Sequence, residues 1–331
     1  VIVETSPNLA FISALGSGRG GGRLIKALAA AFVLLLIGAC ASATAPVSPQ
    51  RAAHVVALVP PPAQHPAHEG LVDVGGAQLF YWDTGGGGEP VILLHAATGS
   101  AESWLYQQPV LADRGYRVIG YSRREHYRSV PSSAPAPPPS VDLMRFMDAL
   151  GLPRAHLVAT AAGAIVAADF ALSHPDRVKS LVLATSLISF QDPLVTQARR
   201  NLALDDLRRL PSHVLELSAS YRFANPEGTA LWAEIEHRAL NAPAPARRSA
   251  NSANAVTFDA LSATRLPILL IGGDADLYLP PALLWEIGAR LPNARTVLIR
   301  DAAHSVYWEQ PQAFNAAVLS FLSDHTDAQR Q

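Results

Sequence analysis

Thiol chemistry is nearly absent from this 331-residue chain, whose single cysteine is Cys40. No intramolecular disulfide can form, and no thiolate cluster can hold a metal. Its 11 histidines fall nowhere in an H-E-x-x-H or comparable ligand spacing, so no metal is expected. Charged residues make up only 16%, with a net charge of −1. No basic run stands out, which argues against a nucleic-acid partner. A G-x-G-x-x-G after a strand is missing too. The glycine-rich residues 18–22 precede an apolar segment and cannot form a phosphate loop. No cofactor is therefore expected, and no internal repeat is visible. What the chain has in quantity is apolar residues, 49% of the total, ample for a sizeable core.

Residues 27–39 are uncharged and apolar, and Arg19, Arg23 and Lys26 precede them. A positive segment running into an apolar one is the pattern of a secretory signal. It ends Leu36-Ile37-Gly38-Ala39-Cys40, which resembles a bacterial lipobox. That resemblance implies lipidation of Cys40 and an exported protein of the bacterial cell envelope, tethered to the membrane. An ordinary cleaved signal and a single membrane anchor are the alternatives, since apolar residues continue to about Ala45. Residues 1–40 are expected to be leader and lipoprotein-type signal. The chain begins with Val1 and has methionine only at Met144 and Met147, so residues 1–23 are expected to stand outside the functional protein. Residues 41–69 are rich in Ala, Pro, Ser, Gln and His and show no hydrophobic period. They read as an extended linker, with His54, His65 and His68 incidental.

From residue 70 to 331 the pattern changes to that of a folded domain. Residues 71–83 alternate as a strand hairpin, and 91–94 form a short apolar run of the kind buried on both faces. A helix is predicted over 101–113, a strand over 116–121 and a proline-rich loop over 131–139. A helix over 141–150, closed by Gly151, leads to a strand over 156–159 and a helix over 163–173. Another strand covers 178–184. Strands alternating with helices predict an α/β class, a mostly parallel sheet with helices on both faces. Residues 187–263 read as an inserted helical cap. Strands at 267–272 and 296–299 and a helix at 313–322 close the chain.

Several loops carry further information. Leu93-Leu94-His95-Ala96-Ala97-Thr98-Gly99-Ser100 is similar to an H-G-x-x-G-S loop, with Ala96 in place of the glycine. Residues 121–129 are similar to D-x-R-G-x-G-x-S, with Glu125 and Tyr127 replacing two glycines, and read as structural. Ala159-Thr160-Ala161-Ala162-Gly163 has the layout of a nucleophile elbow, G-x-S-x-G, with alanine at the apex. Residues 271–281 are similar to a G-x-x-D-x-x-x-P acid loop through Asp276. Residues 301–311 are similar to G-x-G-H-x-x-x-x-E-x-P through His304, Glu309 and Pro311. Taken in order, residues 71–324 resemble the capped α/β-hydrolase fold superfamily, with the elbow serine replaced by Ala161.

The resemblance implies a His304–Asp276 pair and an oxyanion hole made by the backbone N–H groups of Ala97 and Ala162. A methyl group at residue 161 cannot form an acyl-enzyme. Thr160 points elsewhere on a tight turn, and Ser100 and Ser103 are poor substitutes, because the elbow and helix dipole that expose a nucleophile act at Ala161. Pocket candidates are His95, Ser100, Trp104, Tyr221 and Trp232, with Tyr106, Phe190 and Phe223 nearby in the same expectation. Two readings stay open. One is an enzyme on small, fairly apolar substrates that uses the His–Asp pair without a serine, by water-mediated hydrolysis or related lyase or C–C cleavage chemistry. The other is a catalytically inactive, membrane-tethered pseudoenzyme that binds a small-molecule ligand.

Overall fold

Short runs of Val, Ile and Leu form the strands of one sheet because each is apolar on both faces. The computed structural model describes residues 2–3, 59–130, 136–202, 209–240 and 251–326. The expected signal segment, Cys40 and residues 41–58 of the expected linker lie outside the described residues. The strands are β1 (Ile2–Val3), β2 (His68–Asp73), β3 (Gln78–Asp83), β4 (Pro90–Leu94), β5 (Arg117–Tyr121), β6 (Ala155–Thr160), β7 (Val178–Ala184), β8 (Ile268–Gly273) and β9 (Ala294–Ile299). Their order is β1-β9-β8-β7-β6-β4-β5-β3-β2. The block from β5 to β9 is parallel throughout, and β2, β3 and β1 join it antiparallel. Every residue of β6, β7 and β8 is buried. The mostly parallel α/β architecture expected from the sequence is the one observed.

The chain steps from β4 to β5 on one side and then to β6 on the other, so the strand order reverses between β4 and β6. Ligand sites in such sheets form at the carboxyl ends of the strands, near the reversal. Register brings those ends level. Leu94 pairs with Ala159, Thr160 with Ala184, Ala184 with Ile271, and Gly273 with Ile299. The loops carrying Ala97, Ala161, Asp276 and His304 therefore all leave one edge of the sheet. Between β7 and β8 the described elements are all helical: Pro193–Leu202, Ser212–Glu216, Ala219–Ala224, Pro226–Ala239 and Phe258–Ala263.

Two expectations are corrected. The helix over 101–113 is broken into a 3-10 turn, Ala101–Trp104, and a short helix, Gln108–Ala112. Ser100 caps the first, and Pro109 lacks the N–H that would continue one helix into the other. Second, the last part of the presumed linker is docked on the core. The Tyr106 hydroxyl donates to the Val59 carbonyl at 2.8 Å, Gln64 Nε2 to the Leu105 carbonyl at 2.9 Å, and Gln108 brackets the backbone of His65. An extended segment leaves its backbone groups free for such bonds. Ile2 and Val3 pair with Ile299 and Leu298 at the edge of β9. An unpaired strand edge accepts such a segment readily.

Candidate active site

The turn after β6 is the sharpest feature of the sheet edge. Ala161 has φ 49° and ψ −113°, a conformation rare for a residue with a side chain, and the helix Ala162–Ser173 starts at the next residue. Two bonds hold it there: Ala161 N–H donates to the Ala184 carbonyl at 2.9 Å, and Ser186 Oγ donates to the Ala161 carbonyl at 2.9 Å. Gly163 makes the turn sterically feasible. A Cβ at that position would lie 2.1 Å from the Leu94 carbonyl oxygen, so only glycine lets the helix pass this close to β4. Thr160 is buried and its hydroxyl is bonded to that of Thr185 at 3.0 Å, away from the turn's exposed side.

Asp276 and His304 come together from the ends of β8 and β9. Gly273 permits it, because a Cβ there would sit 2.3 Å from the Ala302 carbonyl oxygen. Asp276 Oδ1 accepts the N–H groups of Tyr278 and Leu279 at 2.7 and 3.1 Å, which fixes the carboxylate. Both of its oxygens then lie 3.0 Å from His304 Nδ1. A carboxylate only accepts, so Nδ1 carries the proton and Nε2 presents its lone pair. Nε2 has no hydrogen bond among the described residues. Burial by itself would lower the imidazole pKa; the charge and bond of Asp276, with Glu216 and Glu309 adding, outweigh it and leave the pKa raised. The half-exposed Tyr278 ring lies 4.5 Å from the imidazole and forms one wall beside it.

Ala97 is exposed and Ala162 half-buried, and neither N–H has an acceptor among the described residues. Ala162 opens a helix, so its N–H carries the positive end of the helix dipole.

Most of the expected pocket residues are buried side chains with partners of their own. His95 is fully buried and its ring is spent on the loop: Nδ1–H donates to the Ala96 carbonyl at 2.7 Å and Nε2 accepts from Arg123 N–H at 3.0 Å. Burial first, then Arg123 and His126, hold its pKa well below the ordinary value, so it is neutral. Ser100 is fully buried and caps the 3-10 turn. Trp104 packs at 5.0 Å from the Tyr307 ring, and Tyr221 is a buried cap residue whose hydroxyl accepts from Asn225 at 3.1 Å. Tyr106 is buried against Trp308, Phe190 stacks on Phe258, and Phe223 is 90% exposed. These apolar side chains fill core or surface positions, which composition alone does not separate from a pocket. Trp232 does line a small cleft, with Thr98, Gly99, Ile235, Glu236 and Tyr307. Its indole N–H donates to Ser305 Oγ at 3.2 Å.

Two acidic residues that sequence reasoning did not assign to the site surround His304. Glu309 is buried and accepts the N–H groups of Ala303 and Ser218, both at 2.9 Å, tying the His304 loop to the cap. Burial pushes its carboxyl up to about 7. Its spacing from His304 was visible, but its role as a tie was not. Glu216, at the end of the cap helix Ser212–Glu216, accepts from Thr98 Oγ1 at 3.0 Å and from Ser305 Oγ at 3.4 Å. No motif surrounds it, so only the packing of the cap reveals it.

Comparison with known proteins agrees with this geometry. A family model described as alpha/beta hydrolase fold matches residues 89–311. A RutD protein of Caulobacter sp. (strain K31), named for carbamate hydrolysis, is 32% identical over 249 residues, 71% of this chain and 91% of that protein. A 2-hydroxy-6-oxononadienedioate/2-hydroxy-6-oxononatrienedioate hydrolase of Pseudomonas putida is 28% identical over 77% of this chain and 93% of its own length. Among solved structures, a thermophilic esterase from Thermogutta terrifontis superposes with a TM-score of 0.64 at 26% identity, covering 78% of this chain and all of that one (100%). The enol-lactonase from Burkholderia xenovorans LB400, at 23% identity and a TM-score of 0.64, shares the fold over 77% of this chain and 100% of its own. With a parallel sheet, a strained strand-to-helix turn and loops converging at one sheet edge, the chain belongs to the alpha/beta hydrolase fold family.

Proposed function

We propose that this chain is an enzyme of the hydrolase superfamily that acts on small, fairly apolar carbonyl substrates without a serine nucleophile. His304 Nε2 takes a proton from a water, and the resulting hydroxide adds to the carbonyl carbon. The oxyanion that forms is met by the N–H groups of Ala97 and Ala162, preorganised donors that need no rearrangement. Asp276 holds the imidazole in the tautomer that can accept and stabilises the imidazolium once formed. The observation that carries the reading is the 3.0 Å contact of His304 Nδ1 with Asp276 while Nε2 is unpartnered among the described residues. The Tyr278 ring, 4.5 Å from the imidazole, suits an apolar substrate. The names of the relatives point to carbamate or vinylogous keto-acid cleavage, both of which pass through an oxyanion.

The test compares the full-length chain with His304→Ala on a panel of an ester, a lactone, a carbamate and an enol-ketone. Loss of a general base is expected to cost about 10²–10⁴-fold. Equal rates for both proteins sink the reading. A second reading is favoured by the Ala161 methyl at the apex: a pseudoenzyme that binds a ligand and does not turn it over. It gains if Ala161→Ser creates esterase activity in a chain that otherwise only binds. The Cys40 segment supports a lipid tether to the cell envelope. Cys40→Ala is expected to move the protein from the membrane to the soluble fraction, and an unchanged distribution argues against it.

A further inference from the structure

We propose that Glu216 is the general acid of this site, a cap-borne carboxyl group that protonates the leaving group after the water activated by His304 has added. This deepens the hydrolytic reading above and rests on it.

The argument begins with position. Thr98 directly follows Ala97, the oxyanion donor, and Ser305 directly follows His304, the base. Glu216 Oε2 accepts from both hydroxyls, at 3.0 and 3.4 Å. The backbone reinforces this, since Ser305 N–H donates to the Glu216 carbonyl at 2.9 Å. The carboxyl thus spans the gap between the loop that receives the oxyanion and the loop that carries the base.

The direction of the hydrogen bonds places the proton. Trp232 Nε1–H donates to Ser305 Oγ at 3.2 Å, so the Ser305 hydroxyl turns its own proton toward Glu216. Oε2 then receives two O–H donors. A proton on the carboxyl must reside on Oε1, which has no partner among the described residues. Glu216 is nearly buried, at 8% exposure, and its Thr98 partner lines the small cleft beside Trp232 and Tyr307. Burial raises the carboxyl pKa, and Glu236 adds to the rise. His304, Thr98 and Ser305 oppose it without cancelling it. Asp276, Glu309, Tyr278 and Tyr307 are the other titratable groups around the pair.

Chemistry supplies the need. His304 Nε2 holds the proton taken from the attacking water. An alcohol leaving group needs a proton when the tetrahedral intermediate collapses, and a carboxyl group on the cap supplies it from a second position. In the proposed step the tetrahedral intermediate collapses: the carbonyl re-forms and the C–O bond to the leaving group breaks, its electron pair going to the leaving oxygen. That oxygen takes the proton from Glu216 Oε1 and departs as the alcohol. The imidazolium of His304 returns a proton to the Glu216 carboxylate through solvent, so one water is consumed and one acid and one alcohol are formed.

The experiment uses full-length wild type, Glu216→Gln and His304→Ala on acetate esters ranging from 4-nitrophenyl to ethyl. Gln keeps an acceptor for Thr98 and Ser305 and lacks the proton. A nitrophenolate leaves without help, so Glu216→Gln is expected to change that rate by less than about threefold, while the ethyl ester loses about 10²-fold or more. Loss that is uniform across the series, or absent for the ethyl ester, overturns the proposal. Infrared difference spectra of wild type minus Glu216→Gln at neutral pH give a reading independent of turnover. A carboxylic acid C=O band is expected, and a carboxylate band in its place overturns it. His304→Ala equal to wild type refutes the base and leaves the leaving-group arm intact. A wild type that turns over none of these esters overturns both.

Discussion

Raising the pH from 5 to 8 is expected to weaken this fold through Glu309, and the size of the effect follows from its burial. In the unfolded chain the carboxyl titrates near its ordinary 4.5, and in the folded chain it titrates near 7. A group whose folded pKa is raised contributes stability that is full below the unfolded value and is lost as pH rises through the folded one. The window is therefore about pH 4.5 to 7, and at 1.36 kcal/mol per pH unit the loss is about 3 kcal/mol. Glu216 and His304, both raised, push in the same direction, so a variant is needed to isolate Glu309. Glu309→Gln removes the titration. It also turns an amide NH₂ toward either Ala303 N–H or Ser218 N–H, which costs about 1–3 kcal/mol for the bond that is lost. The assay is urea unfolding at a series of pH values. The variant is expected to be weaker at pH 5 and to approach wild type by pH 8, as wild type loses its advantage. Parallel curves for the two proteins across this range refute the reasoning.

Other perturbations read other parts of the site. Gly163→Ala places a methyl group 2.1 Å from the Leu94 carbonyl oxygen and is expected to destabilise by about 3 kcal/mol or more, read by thermal unfolding. Ala161→Gly relieves a positive φ, gaining about 1–3 kcal/mol against an entropic cost of about 0.5–1. A net rise of about 1 kcal/mol in urea is expected, and a fall contradicts the strain. Asp276→Asn removes the carboxylate that raises the imidazole pKa of His304. The His304 titration followed by NMR is expected to move to lower pH, and an unmoved midpoint means that Asp276 does not govern it.

The sheet was legible because a strand buried on both faces has to be apolar along its length. The runs at 91–94, 178–184 and 267–272 reappear as β4, β7 and β8, with ends shifted by a residue or so. The glycine of the elbow pattern was legible too: Gly163 sits where a Cβ would strike the Leu94 backbone. The pocket was not. Trp104 and Tyr221 belong to the apolar fill and Ser100 to a capping box, and a sequence does not say which side of an element its neighbours occupy. Glu216 had no periodic or motif signal at all. It matters only because the cap sets it against Thr98 and Ser305, residues more than 80 positions away in either direction, at separations of 118 and 89. Long-range placement of this kind follows from tertiary packing, which local pattern does not encode.

The elbow itself poses the sharper question. A serine enzyme uses this turn to expose a hydroxyl, and the strain of a positive φ is then part of presenting the nucleophile. Here the apex side chain is a methyl group, yet φ is 49° and the turn is still pinned by Ala184 and Ser186. What the geometry delivers without a hydroxyl is the N–H of Ala162, the first of the helix, at the end of β6 and without an acceptor among the described residues. A relaxed turn would point that N–H elsewhere and lose the dipole with it. The retained conformation is thus accounted for by the backbone rather than by the missing side chain. It predicts that Ala161 substitutions which keep the turn leave oxyanion binding intact, while those that relax it abolish binding of a boronate or phosphonate mimic even where His304 and Asp276 are untouched.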